Sequence, residues 1–360
     1  MSPSRGPTRP PATPLDPTEV AAATLACLPG ITTARLRDLV ARWRGPIGAL
    51  DAITRGRVSA DWQRAVQSPR VAELLARRHP HVYVKGRAGY PIVDDLPGTP
   101  EVLLAEGDRV DAFERPRVAI VGTRAATPHG LADAREIGGV LGDAGITVVS
   151  GLAIGIDGAA HEGAIDAGGP VVGVVATGLD IVYPRRHRTL FDRVRAHGLL
   201  VSELGYGVQP RREAFPIRNR IIASLADVVV VVEATARGGA RITAERAVEY
   251  NRPVLAMPGS RRNPAAEGTN ALIADGAEPL LEPSDVLLAL GLTPGSRGHD
   301  TRLAPEGNAA LVLRSCGGES ATIDQLVSRS GLAPDEVAVA VRELERGGWL
   351  ERAQGLCWPR

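Results

Sequence analysis

Six short apolar runs recur through the middle of the chain, each bounded by polar or glycine-rich sequence. They are RVAIVG (117–122), ITVVSG (146–151), VVGVVA (171–176), LLVSE (199–203), DVVVVVE (227–233) and PVLAM (253–257). The runs are rich in β-branched residues and apolar throughout rather than alternating, the pattern of strands buried on both faces. Helix-like segments of about ten to fifteen residues separate them. The predicted fold class is therefore α/β: repeated βαβ units building a parallel sheet covered on both faces, over residues 116–290.

Outside this region the pattern changes. Residues 1–17 are rich in Pro, Ser and Thr and read as a disordered tail. Residues 18–66 read as a small helical module, within which LPGITTARLRDLVARWRGPIGAL (28–50) looks like a helix-hairpin-helix. Its Pro29-Gly30-Ile31 turn would leave amides open for a phosphate near Arg35, Arg37 and Arg42, although packing or protein contact is the favoured role. Residues 67–115 read as a connector into the core and 291–307 as a linker. Residues 308–360 read as helix, turn, helix and a two-stranded wing.

Composition narrows the function. The net charge of the 360-residue chain is +1, so any site for a polyanion must be local. All of its 42 basic residues except Lys85 are arginine, the better bidentate partner for phosphate. The three cysteines, Cys27, Cys316 and Cys357, are far apart and lack metal-ligand spacing, which fits a reducing, cytoplasmic setting. No metal and no cofactor is expected. The N-terminus has no apolar signal region, and no run approaches about 18 apolar residues, so neither secretion nor a membrane is indicated.

Charge is distributed unevenly. Residues 184–220 hold nine arginines (185, 186, 188, 193, 195, 211, 212, 218 and 220) against Asp192, Glu203 and Glu213, a net of +6. That is the electrostatic footprint of a nucleic-acid site. The stretch FPIRNR, starting at Phe215, adds an aromatic face for stacking a base, Arg218 and Arg220 for phosphates, and Asn219 for a backbone or base edge. Gly122-Thr123-Arg124 follows the first strand, where a helix start presents free amides to an anion and an arginine can clamp it. The alternative there is a plain strand-to-helix turn.

Gly151 and Gly155 follow the second strand and permit close backbone approach. Asp157 and His161 could be a catalytic pair, but an N-cap and a packed helical histidine is the favoured reading, and no nucleophile completes a set. Gly238-Gly239, ahead of a helix expected near Ile242, forms another amide-lined cradle. The dinucleotide fingerprint G-x-G-x-x-G is absent.

Taken together and in order, GTR, SGLAIGID..AH, GLDIVYP, FPIRNRIIA, RGGARITA and MPG resemble the DNA-processing protein A family, also called DprA or Smf. The resemblance is dense over about residues 80–290. It implies an extended Rossmann-like core that binds single-stranded DNA, a SAM-like N-terminal module, a C-terminal winged-helix domain in many members, and a homodimer. It also implies loading of the RecA recombinase onto incoming DNA during natural transformation, without a catalytic role. By the same resemblance Arg124 is a phosphate contact, Phe215, Arg218 and Asn219 belong to the DNA motif, and Gly238 and Gly239 to the glycine loop. Arg185 and Arg212 fall where basic residues are frequent, and Leu272 and Ile273 near the dimer face. The family loop usually reads S-G-S-L-I-T-A; GGARITA lacks two of its hydroxyls, leaving backbone amides to hold a phosphate.

Two rivals follow from the same residues. One is a nucleotide-processing enzyme of the lysine-decarboxylase-like phosphoribohydrolase group, whose P-G-G-x-G-T-x-x-E signature is only distantly echoed by GGARITAE. The other is a duplex-binding regulator. From Pro305 onward, however, eight acids face six arginines, and Asp335, Glu336, Glu343 and Glu345 crowd the second helix, which would repel phosphates.

Overall fold

The computed structural model describes residues 14–92, 96–292, 305–316, 321–347, 349–353 and 356–359. It divides into two compact units, one up to residue 294 and one from residue 295. Most of residues 1–17 and of the expected linker 291–307 lie outside the described residues.

The first unit opens with five helices: α1 (Pro17–Ala26), α2 (Thr33–Arg42), α3 (Pro46–Thr54), α4 (Ala60–Gln67) and α5 (Arg70–Arg78). A capping box starts α1: the Asp16 carboxylate accepts from Thr18 N and Glu19 N, and Glu19 accepts from Asp16 N. Its buried face (Leu25, Ala26) joins Leu36, Leu39, Ala49 and Ile53 in the same core as the sheet. The helical module is thus packed on the core rather than tethered to it.

The sheet has nine strands: β1 (His81–Val84), β2 (Val102–Gly107), β3 (Arg117–Val121), β4 (Thr147–Ser150), β5 (Val171–Val174), β6 (Gly198–Ser202), β7 (Val228–Val231), β8 (Val254–Ala256) and β9 (Glu278–Pro279). Their order is β1-β2-β6-β5-β4-β3-β7-β8-β9. The pairs from β6 across to β9 are all parallel. The stretch expected as a connector contributes β2, antiparallel to β6, and β1, antiparallel to β2.

Six helices complete this unit: α6 (Pro128–Asp143), α7 (Ile156–Asp166), α8 (Arg188–His197), α9 (Ala214–Leu225), α10 (Gly239–Glu249) and α11 (Glu267–Ala274), with a short α12 (Asp285–Ala289) after them. One face of the sheet packs with α6, α7 and α8 around Ile137, Leu141, Ile156, Phe191 and Val194. The other packs with α9 and α10 around Ile221, Leu225, Ala244 and Ala247. Burial on both faces explains why the centres of β3, β4, β5 and β7 are written as consecutive apolar residues rather than as an alternation. The backbones of α6 and α7 approach closely because Gly138 and Gly163 face one another's helices; a Cβ on either would overlap a carbonyl of the opposite helix.

The second unit holds α13 (Gly307–Cys316), α14 (Ile323–Ser330), α15 (Pro334–Arg346) and an antiparallel pair, β10 (Leu350–Ala353) with β11 (Leu356–Pro359). Val312, Leu326, Val337, Val341 and Leu344 form its own small core.

Candidate nucleic-acid interface

The strand order winds outward from β3 to β6 in one direction and from β7 to β9 in the other, so it reverses between the neighbours β3 and β7. In open parallel sheets the carboxyl ends of the strands at such a reversal diverge and leave a crevice. A cleft of about 380 Å³ lies there. Its walls are the β3–α6 loop (Gly122, Thr123, Arg124), the β7–α10 loop (Ala234, Thr235, Gly238, Gly239) and one face of α9. Phe215, Arg218, Asn219 and Ile222 all line it. Their spacing, i, i+3, i+4 and i+7, is that of one helical stripe. FPIRNR is therefore the opening of a helix, and its period decides which polar groups reach the cleft.

The helix and loop amides at this edge are not equally available. The α6 start is closed by the chain itself: Thr127 Oγ1 accepts from Gly130 N at 3.0 Å, and Thr127 N and Oγ1 donate to the Glu233 carboxylate at 2.9 and 2.6 Å. The β4–α7 loop is closed likewise, with Gly151 N and Ala153 N donating to Asp157 Oδ2 at 3.0 and 3.4 Å. The α10 start differs. Helix α10 begins at Gly239, three residues before the expected Ile242, and its N-cap Gly238 offers no side-chain acceptor. The Gly239 and Ala240 amides have no partner within the chain among the described residues, and both residues line the cleft. Asn219 Nδ2 donates to Gly239 O at 3.1 Å and fixes this loop against α9. An uncapped helix start held rigid beside a cleft is a ready anion cradle.

Arg124 lines the same cleft. It is exposed, makes no ion pair among the described residues, and its guanidinium carbon lies 5.1 Å from the Phe215 ring centroid. That cation–π contact orients the side chain without neutralising it. Thr235, which sequence reasoning missed, lines the cleft three residues before Gly238 and supplies a hydroxyl beside the cradle. Its position in ATARGG, next to the two glycines, was the available signal.

Several expected contacts are engaged elsewhere. Arg218 is only 4% exposed, and its Nη1 donates to Gly151 O at 2.8 Å and to Val174 O. Through Nη1 it ties the ends of β4 and β5 together at the wall of the cleft that it also lines. Burial lowers its pKa to about 10, still charged at neutral pH, so it adds positive potential to the cleft. Gly151 faces Arg218, not the cleft: a Cβ there would overlap the guanidinium. Arg220 forms a 2.5 Å ion pair with Glu203, which also accepts from Thr33 Oγ1 of α2 at 2.8 Å. It locks the helical module to the core.

Arg193 and Arg195 are paired with Asp166, Glu106 and Asp192. Of the nine arginines in 184–220, Arg185, Arg186, Arg188, Arg211 and Arg212 are exposed and form no ion pair among the described residues. None of these five lines the cleft itself. Leu272 is buried in the core on the α9–α10 face, and Ile273 packs against that core and is half-buried.

Asp157 and His161 are not a catalytic pair in this arrangement. Asp157 sits one residue inside α7, whose N-cap is Gly155, and binds loop amides; burial raises its pKa while Arg218 opposes that rise. The fully buried His161 places Nε2 3.3 Å from Val172 O, and desolvation lowers its pKa to about 4. Both are scaffold groups. Among the described residues no group of three or more His, Cys, Asp or Glu side chains could hold a metal ion.

Comparison with known proteins agrees with this geometry. The family model for DNA recombination-mediator protein A matches residues 81–291. The chain is 34% identical to Protein Smf of Synechocystis over 79% of its own length and 81% of that protein. It is 37% identical to Protein Smf of Escherichia coli over 72% and 71%. The crystal structure of DNA processing protein A from Streptococcus pneumoniae superposes with a TM-score of 0.64 at 30% identity, covering 77% of this chain and 98% of that one. DNA processing protein A from Helicobacter pylori, described for its single-stranded DNA binding mode, superposes with a TM-score of 0.52 at 27% identity, covering 59% and 95%. Crevice, loop motifs and relatives converge, and the chain belongs to the DNA recombination-mediator protein A (DprA/Smf) family.

Proposed function

We propose that this protein binds single-stranded DNA at the crevice between β3 and β7, as a holder of the strand rather than an enzyme acting on it. The observation that carries the reading is that an uncapped α10 start and an unneutralised Arg124 line one cleft. A phosphate meets two amides and a guanidinium there, while a base finds the Phe215 face. The exposed arginines 185, 186, 188, 211 and 212 supply longer-range attraction. A duplex keeps its bases stacked inward, so an aromatic face at the cleft favours an unpaired strand. Asp157, the one carboxylate lining the cleft among the described residues, is bonded to backbone amides, which supports a binding role over acid–base chemistry.

On this reading the chain acts in the cytoplasm as a homodimer, protects incoming DNA and hands it to the RecA recombinase during natural transformation. Relatives named for DNA processing support the DNA-handling part of that role. Competition against a labelled oligo-dT strand tests the binding claim: unlabelled single strand displaces it, and duplex of equal length does so poorly. Equal displacement by duplex would overturn the reading. Release of free base from nucleoside monophosphates would favour the phosphoribohydrolase alternative.

A further inference from the structure

The geometry points to Tyr183 as a second base-stacking platform, which receives the nucleotide next to the one on Phe215 and leads the strand out of the cleft toward Arg185 and Arg186. The inference rests on the single-strand reading above and assigns a residue that does not line the cleft. Tyr183 is 42% exposed. Among the side chains described, every other Phe, Tyr and Trp ring is buried or half-buried. An apolar ring left in water beside a cationic turn calls for a partner.

Its position is built, not incidental. The ring centroid lies 5.3 Å from that of Phe215, with the planes tilted by 44°. Two rings at that spacing are already in contact, so no base can slide between them; each can only offer its outer surface. Arg124, Phe215 and Tyr183 thus form a continuous series in which Phe215 is the shared neighbour of the other two. The tyrosine stands two residues before a short 3-10 turn, Arg185–His187, whose Arg185 and Arg186 are exposed and form no ion pair among the described residues. That turn is anchored: His187 Nδ1 lies 3.1 Å from Leu152 O, in the loop that follows β4. The platform and its neighbouring cations are therefore fixed relative to the strand ends that frame the cleft. Stacking followed by phosphate contact on adjacent residues is the general pattern of single-strand grooves.

Affinity for an oligo-dT strand, and for the same strand with one abasic position walked along it, separates the possibilities. Tyr183→Ala should weaken oligo-dT binding roughly tenfold with unchanged thermal unfolding, while Tyr183→Phe keeps wild-type affinity. One abasic position should cost affinity in the wild type and cost nothing further in Tyr183→Ala. In the wild-type protein, a bromodeoxyuridine-substituted strand should photocross-link to the peptide carrying Tyr183. Wild-type affinity in Tyr183→Ala, with Arg124→Ala weakened, would sink this inference and leave the cleft reading standing. Loss in Tyr183→Ala with every abasic penalty unchanged would show that Tyr183 only props Phe215, and would overturn it too. If Arg124→Ala also binds like wild type, the cleft reading itself fails.

Discussion

Helices α10 and α15 begin in opposite electrostatic circumstances. The α10 start has a glycine cap, open amides and Arg124 in the same cleft. The α15 start in the second unit carries Asp335 and Glu336, and Glu336 Oε2 accepts from Ala333 N at 2.9 Å. Its outer surface continues with Glu343 around Val339, which is 58% exposed. One helix start leaves its amides for an external anion; the other supplies its own carboxylate and repels one. Within the core the same rule separates α10 from α6, which Thr127 and Glu233 close. On the proposed reading, a helix start serves an anion only where the chain withholds its own acids.

The contrast can be broken or sharpened by experiment. The largest effect is expected at Arg218, the cation that belongs to the scaffold. Arg218→Ala would leave the Gly151 and Val174 carbonyls without their buried donor and cost about 3 kcal/mol of stability, read by denaturant unfolding. Unchanged stability would place that guanidinium among the ligand contacts instead. Acid should act on the core by a similar amount. His161 is neutral when folded, with its pKa lowered from 6.5 to about 4, so the unfolded chain binds the proton first. Its contribution is fully present above pH 6.5 and declines by about 3 kcal/mol as pH falls to 4. Replacing His161 with an uncharged residue should flatten that part of the stability–pH curve; an identical curve would contradict the assignment.

Salt should weaken DNA binding steeply. With about five arginines meeting phosphates, affinity for oligo-dT should fall about 100-fold between about 50 and about 200 mM salt. A flat response would mean that the exposed arginines take no part. The smallest effect is expected in the second unit. Glu336→Gln should cost about 1 kcal/mol or less at the α15 start and leave oligo-dT affinity unchanged. A gain in affinity would show that the acidic helix opposes DNA binding.

The difference between legible and hidden features is physical. Strands buried on both faces carry consecutive apolar residues, so β3, β4, β5 and β7 were readable, and with them the loops that frame the crevice. The strands β1 and β2 were not, because HVYV and VLLAEG sit at an antiparallel edge within irregular sequence. Arg124, Arg218 and Arg220 look alike along the chain. Only the helical period of α9 and the positions of Glu203, Gly151 and Val174 turn two of them inward. The closing of α6 by Glu233 joins residues more than a hundred positions apart and leaves no local trace. Tyr183 was visible within GLDIVYP, but its exposure was not.

The central claim is that an unneutralised guanidinium and a bare helix start grip the same strand. Titrating labelled oligo-dT with the wild-type protein and with Arg124→Ala, alongside thermal unfolding of both, tests it most directly. The account predicts roughly tenfold weaker binding at unchanged melting temperature. Equal affinity in a fully folded Arg124→Ala protein would contradict it.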